Sequence, residues 1–106
     1  MDLTLYAGDS RNLKISVTDE NSVPINLTGA TIKWILTDQG SVKLSKVISS
    51  GITISNPTQG EFTVLLTASN TKTLSGTYQQ MVRVTTADGN SSIVMTGSIT
   101  IKESLI

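Results

Sequence analysis

The side chains that most often do chemistry near neutral pH are missing from this sequence, which has no His and no Cys. The commonest general base, the commonest zinc ligand and every thiolate site are thereby excluded. Ser and Thr are abundant, but no imidazole can activate them, and a Ser–Lys pair among so many hydroxyls carries no information. Carboxylates are the remaining candidates. Asp9, Asp19, Glu20, Asp38 and Asp88 all fall in turn-rich segments, and oxygen-rich loops can hold calcium. No segment has the twelve-residue spacing of carboxylates with a closing Glu, so these five read as solvated turn residues. No spacing requires a glycosidase-type carboxylate pair, and Gly8 and Gly29 make no phosphate loop. The sequence therefore offers no catalytic, cofactor-binding or metal-binding residues, and the expectation is a protein that is not an enzyme and uses no cofactor.

Two aromatic side chains invite a binding role. Trp34 is the single Trp and could stack on a sugar ring. Its in-phase neighbours Ile32 and Leu36 are apolar, which favours a core anchor between sheets. Tyr78 could contact a ligand. The preceding Leu74 and Gly76 instead suggest a structural latch, with the hydroxyl bonding back to the upstream backbone as a tyrosine corner. Trp34, Leu74, Gly76 and Tyr78 are thus expected to be structural.

The elements that would position them read as strands. Leu13, Ile15 and Val17 alternate with Lys14, Ser16 and Thr18, and the same period of two recurs from Ile32 to Leu36, from Phe62 to Leu66, from Tyr78 to Val84 and from Ile99 to Ile101. Such alternation is the signature of strands with one face in a core. The spacing predicts strands near 2–6, 10–18, 25–27, 30–38, 42–49, 52–55, 61–67, 77–86 and 91–102. Asp38-Gln39-Gly40-Ser41 suits a hairpin, and Asp88-Gly89-Asn90 is the strongest signal for a tight turn with positive φ. Only residues 68–74 suit a short helical turn, with a cap offered by Ser69-Asn70-Thr71. The expected architecture is all-β: an immunoglobulin-like antiparallel β-sandwich of about seven to nine strands, in one domain spanning 1–106.

Eight basic and eight acidic residues give a formal net charge of zero. Arg11, Lys14, Lys33, Lys43, Lys46 and Arg83 are scattered, which argues against a nucleic-acid partner. No apolar run reaches the ~20 residues of a membrane span. Met1-Asp2-Leu3-Thr4 is not a secretion signal, so synthesis in a cytosol is expected and the sequons at Asn26 and Asn90 read as turn chemistry. Segment 91–101 carries no charge before Lys102, and 52–55 is short and uncharged. Strands usually protect open edges with Lys or Pro, so both segments read as edges able to accept a partner strand. The tail 103–106 is expected to project.

The stretch Gly8-Asp9-Ser10, the alternation of Leu13, Ile15 and Val17, and the run from Val23-Pro24 through Ile32 resemble a family of small phage virion β-sandwich domains. Gly60-Glu61-Phe62-Thr63-Val64, the segment 71–78, Asp88-Gly89 and the closing Thr96-Gly97-Ser98-Ile99-Thr100-Ile101 extend the likeness over nearly the whole chain. The pattern is similar to the immunoglobulin-like N-terminal modules of baseplate upper proteins and to small stand-alone head and tail proteins. The resemblance implies a virion structural protein that binds other particle proteins as a head decoration, neck or tail/baseplate component, as a homo-oligomer or symmetric assembly made in the host cytoplasm. A carbohydrate-binding or host-adhesion module is the alternative; it needs exposed aromatics, with Trp34 and Tyr6 on one face.

Overall fold

The computed structural model describes residues 2–105 and is all-β. Its strands are β1 (Leu3–Tyr6), β2 (Arg11–Ser16), β3 (Thr31–Asp38), β4 (Ser41–Ile48), β5 (Gly51–Asn56), β6 (Glu61–Leu66), β7 (Gly76–Thr85) and β8 (Ser91–Lys102). A 3-10 turn (Pro57–Gln59) precedes β6, and a four-residue helix α1 (Ala68–Thr71) precedes β7. The strands form one sheet in the order β1-β8-β7-β3-β4-β5-β6-β2. Its two end strands, β1 and β2, do not pair with each other, so the sheet curls into a half-barrel rather than a closed one. Inward residues from the β1-β8-β7-β3-β4 limb, such as Leu5, Ile32, Trp34, Val82 and Ile99, meet Leu13, Ile15, Ile52, Phe62 and Val64 of the β5-β6-β2 limb in one buried cluster. The period-two pattern dictates this arrangement, because alternate side chains of each strand must leave water together.

Most pairings are antiparallel, as the alternation and turn signals predict. Two are parallel: β1 runs alongside β8, and β4 meets β5 over Val47↔Gly51 and Ile48↔Ile52 only. The β4–β5 contact is a corner. Instead of reversing into a hairpin, the chain turns through Ser49 (φ 68°) and Gly51 (φ 105°) and enters the second limb. A Cβ at Gly51 would lie 2.4 Å from Cδ of Lys46, so glycine is required there for space as well as for φ. That lysine sits opposite Trp34 on β4 and extends to Asn70, whose Oδ1 accepts from its Nζ at 2.8 Å.

The seam between the limbs is fastened by α1. Thr67 caps the helix in a reciprocal box with Asn70, so the cap lies earlier than Ser69-Asn70-Thr71. Thr71 is fully buried. Its hydroxyl accepts from the Gly8 N–H at 3.0 Å and donates to the Asp9 carbonyl at 2.9 Å. It thereby satisfies the backbone of the turn that carries the chain from β1, at one end of the sheet, to β2, at the other.

Segment 25–27 is not a strand. A bridge between Thr18 and Pro24 is followed by a loop in which Leu27 is buried and its N–H donates to the Pro57 carbonyl at 2.8 Å. Pro24 removes a ladder donor at the place where pairing would have to continue. At the β3–β4 turn, Gln39 (φ 50°) and Gly40 (φ 84°) form the expected two-residue hairpin. The β7–β8 connection is longer than a tight primed turn. Gly89 has positive φ but Asp88 does not, and Thr86 N–H donates to the Asn90 carbonyl at 2.8 Å to close a five-residue loop.

Replacing Thr71 by Val keeps the shape and deletes the bridging hydroxyl. Urea unfolding should show a loss of about 1–3 kcal/mol, because the part-buried Gly8 N–H and Asp9 carbonyl both lose their partner. Thr71→Ser, which keeps the hydroxyl, should lose only about 0.8 kcal/mol for the missing methyl. Equal losses for the two variants would show that the bridge contributes nothing.

Candidate interaction surface

Of the four residues singled out from sequence, Trp34, Tyr78 and Leu74 lie in or against the core, and Gly76 is exposed. Trp34 is completely buried, and its Nε1 donates to Oε1 of Gln80, also buried, at 3.1 Å. The Tyr78 hydroxyl donates to the Ser75 carbonyl at 2.9 Å and accepts from the Ser75 N–H at 3.0 Å. Leu74 packs half-buried against the cluster, and Gly76 opens β7 with φ 112°. The geometry of Leu74, Ser75 and Tyr78 is that of a latch at the entry to β7. Sugar stacking on Trp34 is ruled out by its burial, and Tyr6, half-exposed on β1, stands apart from it in the sheet order.

The loop carboxylates serve their own turns. Asp19 Oδ1 accepts from the backbone of Asn21 and Val23 at 2.8 and 3.0 Å. Asp9 Oδ2 accepts from the Tyr6 N–H at 3.1 Å and lies 3.5 Å from Arg11. Asp88 bonds to the Thr86 hydroxyl and to Asn90, and those bonds hold its carboxyl below the ordinary value. Glu20 and Asp38 are exposed. Among the described residues no three acidic side chains gather closely enough to hold a metal ion.

The uncharged segments read as sheet edges are open over much of their length. Ile99 to Lys102 of β8 pair with β1, but 91–97 have β7 on one side only, and of β5 only Gly51 and Ile52 meet β4 while the rest pairs with β6 alone. How far each edge is covered is set by distant partners, which the sequence does not show. The fully one-sided strands are β1, only four residues long, and β2, which carries Arg11 and Lys14. Length and charge are the usual protections of an edge. Beyond the corner, β4 has no β5 partner over 41–46, and there Lys46 points to the core side, another known edge protection. On β8, the Asp2 carboxylate takes over where β1 stops, accepting from the Ser98 N–H at 3.0 Å and the Ser98 hydroxyl at 3.1 Å.

What sequence reasoning missed is the outer face of the longer limb. Val42, Val47, Met81 and Ile93 are 57, 43, 39 and 44% exposed. Cross-strand register gathers them. Lys33 faces Val47 on one side and Arg83 on the other, and Arg83 faces Ile93, giving the row Val47, Lys33, Arg83, Ile93 across β4, β3, β7 and β8. Ile35 and Met81 face each other in the next row, and a depression is lined by Lys33, Ile35, Val42, Met81, Arg83 and Ile93. The two cations stand directly opposite, an arrangement that opposes folding. Among the described residues the ion pairs are Arg11–Asp9 and Lys14–Glu61, so neither Lys33 nor Arg83 is compensated by a carboxylate. The outer side of the other limb is polar apart from Leu65, with Asn12, Lys14, Ser16, Thr53, Ser55 and Thr63 along it. The signal in the sequence was an apolar residue at the polar phase of neighbouring strands, legible only once the neighbours are known.

The sequence profile of the family described as BppU N-terminal domain matches residues 2–105. No curated protein matches the chain. Among solved structures, AggA, the major subunit of aggregative adherence fimbriae type I from Escherichia coli, is similar at 13% identity and a TM-score of 0.37, over 97% of this chain and 89% of that one.

Two outcomes are expected. Tyr78→Phe should destabilise by about 1–2 kcal/mol, the cost of a lost bond and an unpartnered backbone group, read as a lower thermal midpoint; an unchanged midpoint would remove the latch. Bonds from Ser98, its backbone N–H foremost, lower the Asp2 pKa. A depressed folded value means that this contribution is complete above the unfolded pKa and disappears as pH falls through the folded one. Protection of the Ser98 amide from hydrogen exchange, corrected for intrinsic rate, should therefore hold from neutral pH down through the ordinary carboxylate range and fall only below it. Loss already at the upper end would contradict the assignment.

Proposed function

We propose, from the premise that this chain belongs to the BppU N-terminal domain family of phage baseplate structural proteins, that it is a virion component that binds other particle proteins and repeats under the symmetry of the assembly, without turnover. The observation that carries the proposal is the family match over residues 2–105. The surface supports it. A rigid limb, anchored by Trp34 and latched by Tyr78, presents exposed apolar side chains around two uncompensated cations. Binding by such a face needs complementarity and no moving part. Closed symmetry makes a weak single contact effective, because each copy repeats it. Catalysis has no support from the side chains present, and a sugar-binding role loses its stacking platform to the core.

The test is co-sedimentation of the purified chain with particles of a phage that encodes it but has been depleted of it, combined with light scattering of the free protein. Saturable binding at a fixed number of copies per particle, with or without a defined oligomer in solution, is expected. A strict monomer that leaves such particles unbound would overturn the proposal.

A further inference from the structure

We propose that the outer face of β3, β4, β7 and β8 docks a carboxylate-bearing segment of another particle protein, with Lys33 and Arg83 as its charged centre. The inference deepens the reading just given and rests on it.

Charge, register and exposure carry the argument. Lys33 and Arg83 lie opposite each other on neighbouring strands, both exposed, with no acidic side chain paired to either. Like charges set cross-strand repel in the isolated protein, and a chain with as many acidic as basic residues had carboxylates with which to neutralise them. The repulsion becomes an attraction once a carboxylate is placed between the two. Arg83 is partly pre-set for that role, since its Nη1 donates to the Ser91 hydroxyl at 3.0 Å and the guanidinium is held along the sheet.

The flanks define the partner further. Val47 lies beyond Lys33 and Ile93 beyond Arg83 in the same row. Four strands at about 4.8 Å spacing put the two apolar ends roughly 14 Å apart. A matching segment therefore carries one or two acidic side chains at its centre and apolar ones on either side. Polyanions such as nucleic acid fit poorly. They need a track of cations, and this face offers two, enclosed by apolar surface that a phosphate chain leaves unsatisfied. A second copy of the chain brings the same two cations to the contact in an isologous pairing, which would set like against like.

The experiment is a chemical-shift titration of the whole isotope-labelled chain with three probes: a peptide with two Glu at its centre and Val on either side, the same peptide with Gln for Glu, and a short oligothymidylate. The Val/Glu peptide should shift the amides of Lys33, Ile35, Met81, Arg83 and Ile93 and bind at least about fivefold tighter than the Gln peptide. Lys33→Gln with Arg83→Gln should remove most of that difference. These exposed substitutions relieve a repulsion, so an unchanged or slightly raised thermal midpoint serves as the check that the variant is folded. Equal binding of the Glu and Gln peptides, shifts centred elsewhere, no binding, or preference for the oligothymidylate would each overturn the proposal. If it fails while particle binding persists, the structural role stands and another face makes the contact.

Discussion

The register between β3 and β7 is the constraint on which the rest of the molecule depends. Ile32 faces Val84, Trp34 faces Val82 and Leu36 faces Gln80, and all six side chains are buried. A slip of β3 by one residue would turn Trp34 to water and carry Lys33 inward. No solvent-facing gain could offset the burial of an unpaired cation. The same register that closes the core therefore also assembles the outer row of Val47, Lys33, Arg83 and Ile93. Interior and exterior are two readings of one pairing, and a substitution that loosened the first would scatter the second.

Around that pairing, the chain meets the difficulty that any curled sheet meets: a backbone that changes limb must leave its ladder without abandoning its hydrogen bonds. It crosses between the limbs four times. Two of these crossings, the turn between β1 and β2 and the corner between β4 and β5, lie under the influence of one helical turn, since Thr71 bonds to Gly8 and Asp9 while Asn70 accepts from Lys46 above Gly51. Buried side-chain polar atoms all find partners among the described residues.

Strand identity was legible in the sequence because it is local: alternation at Leu13, Ile15 and Val17, or at Ile32, Trp34 and Leu36, needs no knowledge of neighbours. The burial of Trp34 follows from the same phase, while the latch at Tyr78 was read from the Leu74 and Gly76 that precede it. Strand order was not legible. The lack of charge in segment 91–101 marked an open edge, but not that β1 covers its last residues and leaves 91–97 with β7 alone. The role of Thr71 was hidden for a similar reason. Among so many Thr residues, only a fold that brings it 62 residues back to Asp9 distinguishes it. The exposed apolar face shared that fate, since Ile35, Met81 and Ile93 are single apolar residues in three strands until register brings them together.

The parallel pairing of β1 with β8 has a mechanical meaning. Leu3 lies beside Ile99 and Tyr6 beside Lys102, so the leading end of β1 and the trailing end of β8 point in opposite directions along the same ladder. Tension applied through those two ends would slide the strands past each other and load all of their hydrogen bonds at once. An antiparallel pair pulled from adjacent ends would instead unzip one bond after another. The arrangement resists extension as a shear joint does, and the short β1 becomes the pin through which force on the domain is borne.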